Sequence, residues 1–323
     1  MNKASKIALN LVIFLVVIGF AWYMAASINK GDSPVFGTTG DLDAQFVSPY
    51  KQLSSFKLPD DINRFELWNN RLYISAGQQV YIFDTEGKQL GNFQTDPNVR
   101  DITVSNDEIY LLYPTRIVVH SISGEPIRRW EACSNLSDYC SFTIAGDAVF
   151  VTDAENKDIC KYTTEGNFVK FIKSPAGFII PSYSFDIDSW NDTIYCVNSG
   201  RHIVETYTLD GNFISYFGNA GSDAGSFAGC CNPAYISFTS DGALVTSEKG
   251  NPRISYFGRN GKFKGLALNS KMLGGGNTAY ELRALDDKLF VTTKNKVSVF
   301  QCDQSSILAA SCPRSCAGCP FQK

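Results

Sequence analysis

Histidine is nearly absent from this chain: two of its 323 residues, His120 and His202, carry an imidazole. No site built on three imidazoles fits that inventory. The C-x-x-C-H run is missing, so covalent c-type haem is not expected. There is no G-x-S-x-G elbow for a nucleophilic serine and no glycine loop to cradle phosphate. An excess of positive charge is lacking too: 29 Lys and Arg stand against 32 Asp and Glu, and the cations are scattered. That pattern excludes a basic nucleic-acid surface. Glycine and aromatic residues, by contrast, are plentiful, with 26 Gly, 23 Phe and 15 Tyr. This is the composition of a β-rich chain with many turns.

A short pattern recurs along it. The inner strand of each unit is expected at LYIS (Leu72–Ser75), IYLL (Ile109–Leu112), VFVT (Val149–Thr152), IYCV (Ile194–Val197), ALVT (Ala243–Thr246) and LFVT (Leu289–Thr292). Polar turns with glycine follow five of them: DTEGK ending at Lys88, SISGE at Glu125, TTEGN at Asn167, TLDGN at Asn212 and GRNGK at Lys262. A period of roughly 37–50 residues with this content marks a radially repeated sheet fold. Each unit is a twisted sheet that buries both faces only against neighbours around an axis. The predicted fold is therefore all-β, a six-bladed β-propeller.

The two ends of the repeat complement each other. YKQLSSFKL (Tyr50–Leu58) reads as an outer strand with no unit of its own, whereas the sixth unit stops at Lys296–Gln301 without one. The N-terminal strand is expected to complete the last blade and so remove an unpaired edge. If the blade-to-blade loops define the top face, both termini of the ring then leave from the bottom.

The stretch FAGCCNPAYISFTSDGALVTSEKGNPRISYFGRNGKF (Phe227–Phe263) carries a Phe and Pro lead-in, the Asp241-Gly242 turn, Glu248, Asn251, Arg253-Ile254 and a G-K-F ending. Gly200–Gly218 matches its second half. These units resemble NHL repeats, over roughly Tyr50 to Cys302. The resemblance implies a six-bladed propeller and says much less about activity. Amidating lyases of that class use three histidines, which this chain does not have. Propeller lactonases hold calcium with carboxylates and amides around the channel, for which Asp101, Asp186, Glu248 and Asn198 are the loose candidates. Arg201, Lys249 and Arg253 fall at positions where the family has basic or polar residues, and pairing between blades accounts for them.

Ahead of the repeat, Ile7 to Ala26 is apolar apart from Asn10, long enough for a helix of about 20 residues to span a bilayer. Lys3 and Lys6 precede it and favour a cytoplasmic N-terminus. Cleavage after Ala26 would put bulky Met24 at the third position back, so an uncleaved anchor is expected rather than a signal peptide. The organisation is then anchor 1–28, linker 29–48, propeller 49–302 and Cys-rich tail 303–323. The propeller is expected outside a cytoplasmic (inner) membrane, in the periplasm or its equivalent.

The ten cysteines suit an oxidising compartment. Cys302, Cys312, Cys316 and Cys319 cluster at the C-terminus, the last three spaced C-x3-C-x2-C. Three chemistries stay open for them: paired disulfides, an iron–sulfur cluster or zinc, and dithiol exchange at CAGC. Cys230 and Cys231 are adjacent in a tight lead-in loop on the top face, either packed as small apolar groups or forming a functional site. Cys133 and Cys140 bracket SNLSDY and are expected to close that loop as a disulfide. Cys160 and Cys196 read as buried residues that approach each other if their blades bring them together. The resulting functional expectation is a membrane-anchored, non-catalytic binding or assembly module with a membrane or periplasmic protein partner. Two alternatives are a redox or metal accessory protein of a membrane complex and a propeller hydrolase or lactonase.

Overall fold

The computed structural model describes residues 47–182 and 184–302, all within the unit Thr39–Lys323. Ile7–Ala26, Cys312, Cys316 and Cys319 lie outside the described residues. Among the described residues, no helix is long and apolar enough to cross a membrane.

Six four-stranded antiparallel sheets make up the fold. The first strand, β1 (Tyr50–Lys57), precedes blade 1, which holds β2 (Ile62–Trp68), β3 (Arg71–Ala76), β4 (Gln79–Asp84) and β5 (Gln89–Gln94). Blade 2 holds β6 (Asp101–Ser105), β7 (Glu108–Tyr113), β8 (Arg116–Ser121) and β9 (Pro126–Glu131). Blade 3 holds β10 (Tyr139–Ala145), β11 (Ala148–Asp153), β12 (Asp158–Thr163) and β13 (Phe168–Ile172). Blade 4 holds β14 (Ile187–Trp190), β15 (Thr193–Asn198), β16 (Ile203–Thr208) and β17 (Phe213–Phe217). Blade 5 holds β18 (Tyr235–Phe238), β19 (Leu244–Glu248), β20 (Arg253–Phe257) and β21 (Phe263–Leu268). Blade 6 holds β22 (Leu282–Leu285), β23 (Lys288–Thr293), β24 (Lys296–Cys302) and, as its outer strand, β1. The closure read from the surplus and missing strands is thus present. Tyr50 stands opposite Cys302 and Lys57 opposite Lys296.

The apolar strands of the repeat are not innermost, as expected, but second from the axis. β2, β6, β10, β14, β18 and β22 lie inside them and neighbour one another around the centre. The reason is burial. A second strand is paired on both edges and covered on both faces, so it reads as continuous apolar sequence. The first strand lines the channel and carries polar side chains, which hides it. The fifth unit is also displaced by one residue. Leu244, not Ala243, occupies the place of Leu72, because Leu244 pairs with Phe257 as Leu72 pairs with Phe83.

The core is six apolar wedges, one between each pair of adjacent blades. The wedge between blades 6 and 1, for example, joins Phe290 and Val297 to Phe65 and Leu72. Each fully buried large side chain of this kind contributes about 1.5–3 kcal/mol. The glycine turns lock the wedges from outside. Gly87, Gly124, Gly166, Gly211 and Gly261 all have positive φ, and a Cβ on each would lie within 2.6 Å of Phe56, Phe93, Trp130, Ile172 or Phe217, respectively. Every one of those partners sits on the outer strand of the preceding blade. Glycine therefore serves twice there, for the turn and for the close approach.

Candidate functional site

The first strands place one residue per blade at the same level of the channel: Arg64, Asp101, Ser141, Asp186, Tyr235 and Glu281. Each stands opposite the fourth residue of its second-strand motif, namely Ser75, Leu112, Thr152, Val197, Ser247 and Thr292. Two residues further along the same strands come Glu66, Thr103, Thr143, Asp188, Ser237 and Arg283. Both levels consist of polar or ionisable side chains.

Arg64 is the hub of the first level. Its guanidinium lies 3.9 Å from Asp101, 3.5 Å from Asp186 and 3.7 Å from Glu281. It also stacks 4.5 Å from the centre of the Tyr235 ring. Arg283 bridges the two levels, 3.4 Å from Glu66 and 3.4 Å from Glu281. Burial pushes the Glu281 carboxyl up to about 8 against the pull of both arginines, and pushes Asp188 up to about 7.

The carboxylates have a structural task that alternates around the ring. The inner edge of a first strand has backbone N–H groups with no further strand to receive them. Asp101 of blade 2 accepts from Phe142 N of blade 3 at 3.1 Å, Asp186 of blade 4 from Ile236 N of blade 5 at 2.8 Å, and Glu281 of blade 6 from Phe65 N of blade 1 at 3.2 Å. Ser141 Oγ lies 2.6 Å from Asp101 and 2.9 Å from Asp186 and ties the two together. The ring thus caps edges between blades while Arg64 neutralises the acids that do so.

Of the calcium candidates, the structure brings Asp101 and Asp186 to this ring and leaves the other two elsewhere. Glu248 forms a buried ion pair with Arg253 inside blade 5, at 2.6 Å. Asn198 receives Ile179 N at 3.0 Å and donates to Glu205 at 2.8 Å in blade 4. Pairing between blades likewise does not account for Arg201, which donates to the Gly177 carbonyl of its own lead-in loop at 2.8 Å. Lys249 does cross between blades and reaches Ser182.

The cysteines separate by strand alternation. Cys133 does not meet Cys140. Successive side chains of a strand point to opposite faces, and Tyr139 and Cys140 begin β10. Tyr139 faces the wedge between blades 2 and 3, with Cys133 and Cys160, while Cys140 faces the wedge between blades 3 and 4, with Cys196. Cys133 Sγ accordingly lies 3.4 Å from Cys160 Sγ, and Cys133, Cys140, Cys160 and Cys196 carry no disulfide. For the same reason Cys160 and Cys196 do not approach each other. Cys133, Cys160 and the buried Asp153 present three ligand atoms within 4.8 Å of one another. The Asp153 carboxylate is already occupied by Asp138 N at 3.1 Å and by Asn156 Nδ2 at 2.8 Å. Burial raises the Cys160 thiol well above its ordinary range and Cys140 to about 12, so both stay protonated. Cys302 ends β24 and is buried beside Tyr50, within the propeller proper.

Cys230 and Cys231 do come together, with their sulfurs 2.9 Å apart, Cys230 exposed and Cys231 buried. They sit in the loop that leads into β18, on the face of the blade-to-blade connections.

Solved structures of several other proteins share the fold of this chain. A virginiamycin B lyase from Staphylococcus aureus, solved with quinupristin, is 15% identical with a TM-score of 0.55, matching 78% of this chain and 99% of the lyase. A protein of unknown function from Bacteroides thetaiotaomicron is 11% identical with a TM-score of 0.58, over 78% of this chain and 72% of its own. The Pan2 WD40 domain of Neurospora crassa matches at 9% identity and a TM-score of 0.52, over 80% and 97%. At these identities the likeness is one of fold. No family model and no curated protein sequence matches the chain.

Sequence reading missed Arg64, Ser141, Tyr235 and Glu281. A signal for them exists. Arg64, Asp101, Ser141, Asp186 and Glu281 each stand eleven residues before the last residue of their second-strand motif. In blade 5, Tyr235 stands twelve before Ser247.

Proposed function

We propose that this chain is an NHL-type propeller held at a membrane by Ile7–Ala26, working outside the cytoplasm as a non-catalytic module that binds a partner protein. The observation that carries the reading is the outer rim of blades 3 and 4. β13 exposes Phe168, Val169 and Phe171, and β17 exposes Phe213, Ile214 (50%) and Tyr216 (62%). The outer strands β1, β5 and β9 each expose a single large apolar residue, Leu53, Leu90 and Ile127. β9 sets Arg128 and Arg129 beside its one. The fold does not require the difference, because the outer strand of a blade needs apolar side chains only where it meets the next turn.

The occupant favoured by this rim is an extended segment of a partner protein. An outer strand has one unpaired backbone edge, and an added strand would satisfy it while covering apolar side chains exposed beside it. The channel supports the non-catalytic part of the reading. Its acids are committed to backbone caps and to Arg64 and Arg283, which makes the lactonase alternative the weaker one.

A photo-crosslinking residue in place of Ile214, activated in membranes of the source cells, tests this. One adduct of discrete mass is expected, lost in a V169D/Y216D variant of unchanged melting temperature. The same probe at Arg129 should give none. An adduct of the mass of a second copy, or equal adducts from both positions, would overturn the reading.

A further inference from the structure

The loop before β18 holds two adjacent thiols in a frame that does more than pack them. Asn232 clamps the loop to the turn between β19 and β20: its Nδ2 donates to the Ala228 carbonyl at 2.6 Å and to the Lys249 carbonyl at 2.9 Å, and its Oδ1 accepts from Lys249 N at 2.9 Å. This fixes Lys249 beside the pair. The Lys249 ammonium donates to Ser182 Oγ, which comes from the loop leading into blade 4. Three segments of two blades thus converge on Cys231.

The two sulfurs are unequal. Cys230 is exposed and Cys231 is buried. Burial alone would raise the Cys231 thiol. The Cys230 thiol, the Ser182 hydroxyl and the Lys249 ammonium together outweigh burial and hold it below its ordinary value. Cys230 shifts the other way, chiefly through its hydrogen bond with Cys231. One sulfur is therefore open to approach, and the other is stabilised as a thiolate. A cation beside the pair opposes binding of a second cation, so the frame suits sulfur exchange better than metal capture.

We propose that Cys230 and Cys231 form a two-electron dithiol–disulfide couple that exchanges with thiols, Cys230 being the sulfur attacked and Cys231 the sulfur that leaves. In the reducing direction a thiolate RS⁻ attacks Cys230 Sγ. The Cys230–Cys231 bond breaks, its electron pair passes to Cys231 Sγ beside Lys249, and a mixed disulfide forms between R and Cys230. A second RS⁻ attacks the sulfur of R in that bond, RSSR departs, and the Cys230 thiolate takes one proton from solvent. Two thiolates are oxidised to one disulfide, and the couple is reduced to one thiol and one thiolate. A leaving thiolate held by Lys249 favours the reduced form and makes the couple the more oxidising. The inference stands apart from the binding role proposed above, since neither set of residues enters the other.

The test uses the full chain, equilibrated without oxygen in glutathione buffers of graded ratio, quenched in acid, alkylated and mapped by mass. Cys230 and Cys231 should become protected together, with the loss of two hydrogens and a midpoint that follows the square of the glutathione concentration over that of its disulfide. Lys249→Met should move that equilibrium about tenfold toward the disulfide, and Lys249→Arg should restore it, one unit of thiolate pKa being a factor of ten. A parallel arm offers a dithiol protein as reductant. Reduction by glutathione assigns small thiols as the co-reactant, and reduction by the dithiol protein alone assigns a protein. Reduction by neither, or independent labelling of the two cysteines across the whole range, would overturn the proposal. So would a midpoint unmoved in Lys249→Met.

Discussion

At the scale of residues, the first level of the channel is organised by one guanidinium that is shared three ways. Arg64 is within 3.9 Å of Asp101, Asp186 and Glu281, all of them buried. Breaking a buried ion pair by removing one partner costs about 3–5 kcal/mol, because the other charge is left uncompensated. Arg64→Met is therefore expected to lower unfolding stability by about that amount in urea at pH 8. The loss should shrink toward pH 5. A carboxyl held above its ordinary range binds its proton more tightly folded than unfolded, and stability contributed that way is lost as pH rises through the folded value. Glu281, pushed up to about 8 even with Arg64 present, sets that window. An equal loss at both pH values would show that Glu281 does not titrate within it.

Among the elements, β1 performs two tasks at a distance from its neighbours in sequence. It completes blade 6 by pairing along β24, and its Phe56 is the wedge against Gly87 of blade 1. Tyr50 adds a hydroxyl contact with Tyr256 of blade 5. Deletion of Tyr50–Leu58 is expected to expose the edge of β24, loosen the wedge between blades 6 and 1, and produce aggregation. Size-exclusion chromatography with a thermal melt decides it: a monomer melting at the parental temperature would refute this account of closure. The glycine turns were legible in sequence, but their second task was not. Gly166 reads as a turn residue, and only the packed neighbour shows that Trp130 would collide with any Cβ there.

For the whole molecule, closure sets where the chain leaves the ring. Tyr50 and Cys302 are directly paired, so the flanks on either side of the propeller depart from the same end of the same blade. The proposed anchor has a direct check. Intact-mass analysis of the membrane fraction is expected to find the chain beginning at Met1 or Asn2. A mature chain that starts near Ser27 would remove the anchor from the proposal.

The sequence alone determined the class, the number of blades and the joining of the ends. Those rest on local patterns: an apolar strand motif that recurs six times, polar glycine turns after five of them, and a count of outer strands at each end. It also located the adjacent thiols of Cys230 and Cys231. Tertiary structure alone decided which residues share a site. Arg64 and Glu281 meet although they are 217 positions apart, because closing the ring sets blade 6 beside blade 1. Cys133 finds Cys160 rather than Cys140 because strand alternation turns Tyr139 and Cys140 to opposite wedges. Lys249 and Ser182 reach Cys231 because two lead-in loops converge over adjacent blades. Local pattern fixes the element, since its hydrogen bonds and alternation are short in range. A site joins side chains from several elements, and their approach depends on the closed ring.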